Sequence, residues 1–528
     1  MKRRYLAVLM AMMFALPTVA QNGLLFNLTS TDILGATDML DASRENPGYA
    51  TARVAAMGGA FTSLGADVSS MAINPAGLGM YRRSEVEMTA AVVTNKMQNN
   101  FDVLGTTKTR FSFNSFGAAI NVFQSSDDLR SMTFGLAYNK LDDYNYNSRY
   151  SLGSLSSSIT DVFASQMAGV ADSYLGTSAD PYNNTAIGLN QWGGIMAYDT
   201  YLIDPVPGYN DLYFSTLEAG MMADSYMDII SKGSKGEYDF SLGMNFNDNM
   251  FFGMTLGIQD VYHKRDFYYT EDYSGATADP YVQYMGYNPY SVESGVGVNL
   301  KLGAIFNPVA GLRMGIAFHT PTYYSMDKSY VASMWSKYSD EQNEYYASTL
   351  VYDYTYEYNT PAKMLVGLSY TIGNYAIISL DYDRVWYQSM RSSDFDPSYR
   401  QYIKQVVKEN FKGANNVRIG LEFRPASFLS LRGGYAMSDS PYKEELENGG
   451  YYFDSPIATR IDNFSFGVGF NLGGAKLDFA AIFSNTKYTD YDVYYYQADM
   501  SSDVYASPLV ENNELKRGMY TMTFSLPF

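Results

Sequence analysis

The residue types that usually carry catalysis are scarce in this chain. Its 528 residues include no cysteine and only two histidines, His263 and His319. Without cysteine a chain has no disulfides, thiolate metal sites or cysteine nucleophiles. The sequence also lacks a nucleotide-binding loop, zinc-ligand spacing and a serine-hydrolase elbow. We therefore predict a protein that is not an enzyme and that holds no metal and no cofactor.

The two histidines leave one alternative open, which is that either of them is a haem ligand. Imidazole is a common ligand of metals and also a common polar group inside proteins. For His319 the favoured interpretation is a polar position in the interior of the fold.

Four charged residues stand on two neighbouring predicted strands: Arg418, Glu422, Arg424 and Arg432. We expect all four to face the interior of the fold, where a guanidinium can hold a ligand carboxylate through two hydrogen bonds. The alternative is that the arginines pair internally with Glu422 and with Asp381 or Asp383. Internal pairing is favoured because an unpaired charge that faces inward is costly.

A set of apolar residues falls on two candidate helices: Met167, Phe214, Met221, Met222 and Met227. The first helix would begin at Ser158, which opens a capping-box-like Ser-Ile-Thr-Asp sequence ending at Asp161. The second would span Asp211 to Ile230. The two helices could form an apolar groove for a ligand, since methionine adapts to varied partners. The slightly favoured alternative is that their apolar faces bury each other.

Alternation of side chains dominates the rest of the chain. Tyr520, Met522, Phe524, Leu526 and Phe528 share one face of a strand, and small or polar residues share the other. The same pattern recurs at residues 132–139, 238–247, 296–303, 417–424 and 464–473. One face suits lipid, whereas the glycine, asparagine and charged residues of the other suit a wet or plugged lumen. We therefore predict that the chain crosses a membrane as strands.

About fourteen such strands can be counted between Ser84 and Phe528, an even number as single-chain outer-membrane barrels require. They begin near residues 84, 110, 130, 237, 251, 292, 311, 361, 375, 415, 428, 461, 476 and 517. Short connections at 247–249, 307–311 and 473–474 are typical of periplasmic turns, and long, acidic, Tyr-rich ones at 324–360 and 488–516 of outer loops. The sequence thus predicts an all-β fold, an antiparallel transmembrane β-barrel over residues 84–528. The helices of residues 154–235 would lie in an extracellular insertion over its mouth.

The N-terminus carries the features of a secretory signal peptide over residues 1–20. Three basic residues at positions 2–4 precede an apolar run from Leu6 to Leu16, and cleavage is expected after Ala20. The predicted location is therefore the outer membrane of a Gram-negative bacterium. The net charge of −18 argues against nucleic acid as a partner.

Residues 21–83 do not alternate and precede the first strand. Within them, we expect Asp67 to cap a short helix through Ile73, Pro75 to end that helix, and Gly77 to let the chain turn toward the barrel. Such a compact segment is suited to lie inside a pore as a hatch.

The stretch from Gly58 to Leu78, with its triplet Asn74, Pro75 and Ala76, resembles the N-terminal hatch of the FadL/TodX family of outer-membrane transporters. Later segments resemble the same family in the same order: 313–321, 360–367, 379–386, 417–425 and 431–435. The resemblance implies a fourteen-stranded barrel plugged by the hatch, with the triplet as part of the gate. It also implies passive transport of long-chain fatty acids or aromatic hydrocarbons, with lateral release through the wall into the outer leaflet.

The expected partners are accordingly a hydrophobic small molecule and the lipid of the outer membrane, and the expected state is a monomer. Two alternatives stay open: a receptor for haemin or another hydrophobic nutrient, and a surface adhesin or structural barrel whose Tyr-rich loops bind proteins or glycans. An energised receptor is disfavoured, because those barrels use about 22 strands.

Overall fold

The computed structural model describes residues 39–40, 43–101, 107–125, 127–176, 179–217, 220–277, 279–393, 397–443, 458–494 and 508–528. The predicted signal peptide lies outside the described residues, and so do residues 21–38 and 41–42 of the predicted hatch.

Fourteen antiparallel strands form a closed barrel, as the alternation predicts. Three of them (β3, β7 and β8) are long strands interrupted once, and β9 is followed by a two-residue strand. The bounds are β1 Glu85–Gln98, β2 Thr107–Gln124, β3 Leu129–Asp143 continued by Tyr146–Leu155, β4 Met222–Phe246, β5 Met250–Ser274, β6 Val282–Val309, β7 Leu312–His319 continued by Tyr323–Tyr338, β8 Tyr352–Asn359 continued by Lys363–Ile372, β9 Ala376–Val385 followed by Arg391–Ser392, β10 Ala414–Ala426, β11 Leu429–Ser438, β12 Ala458–Asn471, β13 Lys476–Tyr488 and β14 Glu514–Pro527. Pairing of β1 with β14, from Glu85 opposite Pro527 to Gln98 opposite Glu514, closes the barrel.

The two faces of the wall divide as the sequence predicts. Tyr520 and Phe524 on β14 are exposed to 53% and 43%, whereas Thr521 and Thr523 between them are buried. Large apolar side chains are similarly exposed on the outer face of the other strands. An outward apolar band around a polar interior is the arrangement that a bilayer requires of a barrel.

Short turns lie at one end of the barrel, together with the end of the chain. Asn247 and Asp248, which connect β4 to β5, have φ of 52° and 61°, the left-handed conformation that tight hairpins favour and that Asn and Asp tolerate. The amide of Phe528 donates to the carbonyl oxygen of Ser84 at 2.9 Å, so the last residue adjoins the start of β1. This short-turn end corresponds to the predicted periplasmic side.

Two predictions for the opposite end are wrong. Residues 324–360 are largely strand rather than loop, since β7 runs to Tyr338 and β8 starts at Tyr352. Residues 211–230 form no helix: a short strand at Tyr213–Ser215 is followed by β4 from Met222. A short apolar run fits helical and strand periodicity alike, and pairing with β3 and β5 decides for the strand. The insertion therefore lies between Leu155 and Met222, not over 154–235.

Five α-helices are described: α1 Ala52–Ala56, α2 Ser70–Ile73, α3 Ile159–Gln166, α4 Trp192–Asp199 and α5 Pro397–Asn410. The predicted capping box at the start of α3 is confirmed, because Ser158 caps the helix and Asp161 bonds back to the Ser158 amide at 3.2 Å. In the described ranges, no helix is both long and apolar enough to cross a membrane.

Candidate functional site

Residues 43–83, which precede β1, lie inside the barrel, and we call them the hatch. Its backbone bonds to inward side chains on strands around the barrel. The contacts are Ala52 N to Thr523 Oγ1 at 2.7 Å, Gly58 N to Ser465 Oγ at 3.2 Å, Thr62 N to Asp381 Oδ2 at 2.7 Å, Val68 N to Glu87 Oε2 at 3.2 Å and Thr255 Oγ1 to Met71 O at 3.1 Å. The hatch backbone therefore bonds to polar side chains on the inner faces of several strands.

Glycines on the inner face let the hatch approach the wall closely. A Cβ added to Gly243 on β4 would lie 2.5 Å from Leu78 Cβ, and one added to Gly420 on β10 would lie 2.6 Å from Met57 O. Real Cβ atoms do not come this close to their neighbours, so these positions require glycine while the hatch is in place.

The triplet is the part of the hatch that lies against strands β5, β6 and β7. Asn74 Nδ2 donates to Thr62 O at 2.6 Å and to Ala304 O and Ile316 O at 3.4 Å, while Asn74 Oδ1 accepts from Ala76 N at 3.1 Å. The backbone of Pro75 packs on Gly253 of β5. All three residues of the triplet are buried, and Asn74 bonds to two neighbouring strands of the wall.

The hatch helix differs in detail from the prediction. Its N-cap is Ser69 rather than Asp67, and Asp67 instead accepts from Ser69 N at 3.0 Å and from Thr51 Oγ1 at 2.9 Å. Burial raises the pKa of Asp67, and the charge of Arg53 opposes that rise. The helix ends before Pro75 as predicted, and a 3₁₀ helix follows over Pro75–Met80.

Gly77 has a different role from the predicted turn. It lies inside the 3₁₀ helix, where an added Cβ would come within 2.8 Å of Ser70 Cβ. Glycine is needed there for close packing of two hatch segments.

The charged residues on β10 and β11 pair internally, which is the favoured alternative of the sequence interpretation. Glu422 accepts from Arg432 Nε at 2.6 Å and from Arg424 Nε at 2.8 Å, and Arg53 of the hatch lies 3.6 Å away. Arg418 pairs with Asp383. These guanidinium groups therefore hold carboxylates of the protein and not the carboxylate of a ligand.

The apolar residues of the insertion are mostly buried. Met167, Met221 and Met227 lie in one core with side chains of α3, α4 and the outer parts of the strands. Met222 is half-buried, and Phe214 is 43% exposed and lies outside that core. Mutual burial of two helices is not what the structure shows, because the second predicted helix is absent and the core is shared with strands; the groove stays a prediction.

The two histidines lie apart on the barrel wall. His319 is buried and donates from Nε2 to the carbonyl oxygen of Ile73 at 2.9 Å, so it occupies a polar interior position. His263 on β5 bonds through Nε2 to Ser231 at 3.0 Å and packs against Tyr144 with the two rings tilted and their centroids 4.6 Å apart. Among the residues that the structure covers, no group of three His, Asp or Glu side chains is placed to hold a metal ion.

A cavity between the hatch and the wall was missed by sequence reasoning. It is lined by hatch residues, mainly those of 43–50, and by inward residues of strands from β3 to β11. Five lining side chains are cationic: Arg44, Lys235, Lys301, Lys363 and Arg418. Only two are anionic, Glu45 and Asp383. Glu45 of the hatch forms an ion pair with Lys363 of β8 across this cavity.

The wall beside the cavity is interrupted. The breaks in β7 and β8, at 320–322 and 360–362, lie side by side, and each contains a proline, Pro321 and Pro361. Proline has no amide hydrogen to donate to the ladder. Thr360 N donates to Thr322 O at 3.0 Å, and Thr322 N donates to the Thr360 side chain at 2.8 Å. Prolines in two strands are a sequence signal of such a break.

Comparisons with known proteins place the fold. No protein-family model and no curated protein matches the chain. A solved FadL homologue from Pseudomonas aeruginosa aligns at 10% identity and a TM-score of 0.50, over 92% of this chain and 98% of that one. The CymD monoaromatic hydrocarbon channel aligns at 11% identity and a TM-score of 0.49, over 92% of this chain and 99% of that one. The toluene transporter TbuX of Ralstonia pickettii aligns at 13% identity and a TM-score of 0.48, over 93% of this chain and 100% of that one. At these identities the likeness concerns the fold, which is that of FadL-type barrels, as the sequence resemblance implies.

Proposed function

We propose that this protein is a passive outer-membrane channel for hydrophobic small molecules, either long-chain fatty acids or aromatic hydrocarbons. The hatch closes the lumen, and the ligand leaves sideways through the break between β7 and β8 into the outer leaflet. A solute that is poorly soluble in water gains from such a route, because it passes from a protein interior into lipid without crossing open water.

The position of Asn74 is the observation that carries this proposal. Its amide bonds to Ala304 on β6 and Ile316 on β7. Ile316 stands a few residues before the break at Thr320 on the same strand. A shift of the hatch that withdraws Asn74 therefore removes two contacts from the wall next to the break.

An apolar cluster adjoins the cavity and supports a hydrophobic ligand. Tyr324, Tyr358, Val385, Tyr387 and Met390 are buried together in it, and Val385 and Tyr387 also line the cavity. The rings of Tyr324 and Tyr358 stack with centroids 5.2 Å apart, on strand segments that flank the break. Aromatic surfaces of this kind are typical of sites for apolar ligands.

Uptake by cells tests the proposal. Cells that express the intact protein, or a variant with Asn74, Pro75 and Ala76 each changed to glycine, are given labelled palmitate, toluene or haemin. We expect the intact protein to take up palmitate or toluene, and the variant to take up a different amount when the two proteins are present at equal levels in the outer membrane. Uptake of haemin alone would favour the haemin receptor, and uptake of none of the three by an inserted barrel would overturn the proposal in favour of the adhesin.

A further inference from the structure

The ion pair between Glu45 and Lys363 ties the hatch to the wall at the rim of the break. Lys363 begins the second segment of β8, two residues after Pro361. The side chains of Glu45 and Lys363 are 32% and 22% exposed, and both line the cavity. The pair is therefore reachable from the cavity although it lies inside the barrel.

Lys363 differs from Lys301, Arg418 and Arg44 in the origin of its partner. Lys301 pairs with Glu237 and Asp239, which lie on the wall like itself. Arg418 likewise pairs with Asp383 on the wall. Arg44 belongs to the hatch and donates to the carbonyl oxygen of Thr459 at 3.2 Å. Lys363 is thus a wall cation whose carboxylate comes from the hatch.

Glu45 is held in its ionised form. Burial alone would raise its pKa, but the charges of Lys363, Lys235 and Lys301 outweigh that effect and lower the pKa well below its ordinary value. The cavity, with more cationic than anionic side chains, thus stabilises a carboxylate at this position.

The surroundings of Lys363 fit an amphiphile with its charge in the cavity. Polar atoms without a hydrogen-bond partner within the described chain include His319 Nδ1, Asn139 Oδ1 and Asn299 Oδ1, all on residues of the cavity lining. An apolar group placed among these side chains would offer them no hydrogen bond, whereas a polar head would. The apolar cluster that shares Val385 and Tyr387 with the cavity suits the remainder of the ligand.

We propose that Lys363 binds the carboxylate of an anionic amphiphilic ligand, and that Glu45 occupies this site as an internal competitor until the ligand arrives. Displacement of Glu45 frees one attachment of the hatch to the wall. This inference rests on the proposed function and narrows it, because it selects carboxylate-bearing amphiphiles over neutral hydrocarbons.

Equilibrium binding to the purified protein in dodecyl maltoside micelles tests the inference. The probes are palmitate and hexadecan-1-ol, which share a chain length and differ in the charge of the head. We expect K363Q to weaken palmitate binding about tenfold, the effect of losing a charge-assisted hydrogen bond, and to leave the alcohol unchanged. We expect E45Q to strengthen palmitate binding and K363R to retain it.

The matched control is K476Q. Lys476 also pairs with a glutamate, Glu85 at 2.8 Å, but is absent from the residues that line the cavity, so its loss should change neither ligand. Heat-dependent migration on gels verifies that each variant is a folded barrel. Equal binding of palmitate by wild type, E45Q and K363Q, or equal affinity of the wild type for the two probes, would overturn this inference. The proposed function as a channel would still stand. Binding of neither probe by the folded wild type would overturn both proposals.

Discussion

Gly303 on β6 lies against the side-chain amide of Asn74, so closely that a Cβ on Gly303 would overlap Asn74 Oδ1. The inner face of the wall and the hatch are therefore shaped to each other at the triplet. Because the lipid face of β6 is formed by the alternate residues, a side chain added at position 303 disturbs the hatch and not the membrane contact.

We expect the substitution Gly303→Val to loosen the hatch while the barrel still forms. Overpacking of a fitted interior costs about 1–3 kcal/mol, and here the hatch can yield more easily than a strand paired on both sides. Hydrogen exchange of the amides in residues 70–80 should rise. Gly474→Ala is the control, because nothing lies within 4 Å of a Cβ at that position. Exchange that stays slow in Gly303→Val would contradict the close fit.

A disulfide across the break should close the proposed exit. Thr322 and Thr360 are linked by their backbone bond of 3.0 Å on adjacent antiparallel strands, where opposite Cβ atoms are about 4.5–5.5 Å apart. The chain has no cysteine of its own, so the double variant Thr322→Cys, Thr360→Cys forms a single crosslink. We expect uptake to fall to background when the crosslink is oxidised and to return on reduction.

The control for this disulfide is a second disulfide in an uninterrupted part of the wall. Thr94 on β1 and Thr109 on β2 are opposite each other with hydroxyl oxygens 3.1 Å apart. A disulfide at this pair should leave uptake unchanged. If both crosslinks or neither reduced uptake, the exit would not lie between β7 and β8.

The barrel could be predicted because its information is local. Alternation along β14 or β10 depends on a bilayer outside and a polar interior, and each strand shows it separately. The prediction of a helix at 211–230 was wrong because the local pattern there is ambiguous. Only pairing with the neighbouring strands decides that Met222 begins β4. The internal pairing of Arg418 with Asp383 followed from the cost of an unpaired charge.

The cavity could not be predicted, because its residues come together only through closure of the barrel. Glu45 and Lys363 are separated by 318 positions, and no local pattern relates them. A proline in a strand signals an interruption, but that Pro321 and Pro361 lie side by side depends on the pairing of β7 with β8.

The insertion is attached to the barrel by Glu271 on β5. Its carboxylate accepts from the Ile159 amide at the start of α3 at 3.0 Å, and from Tyr269 and Tyr273 at 2.5 and 2.6 Å. We expect Glu271→Gln to weaken this attachment by about 1–3 kcal/mol, because a neutral amide leaves some of these donors poorly satisfied. Limited proteolysis of residues 159–217 should become faster. Asp272→Asn, on the opposite and exposed face of β5, is the control, and equal proteolysis of the two variants would refute the attachment.

Acid should weaken the ion pair between Glu45 of the hatch and Lys363 of the wall. Its pKa in the folded protein is lowered from the ordinary value of 4.5, so the folded state binds fewer protons than the unfolded state at pH values between the two pKa values. The stability that Glu45 contributes is therefore fully present above about pH 4.5 and declines as the pH falls below that value. Thermal unfolding of wild type and Glu45→Gln, compared from about pH 7 to about pH 3, cancels the titration of the other carboxylates. We expect wild type to be more stable at pH 7 and the difference to shrink on acidification. A difference that is constant with pH would show that the charge of Glu45 contributes nothing to the attachment of the hatch.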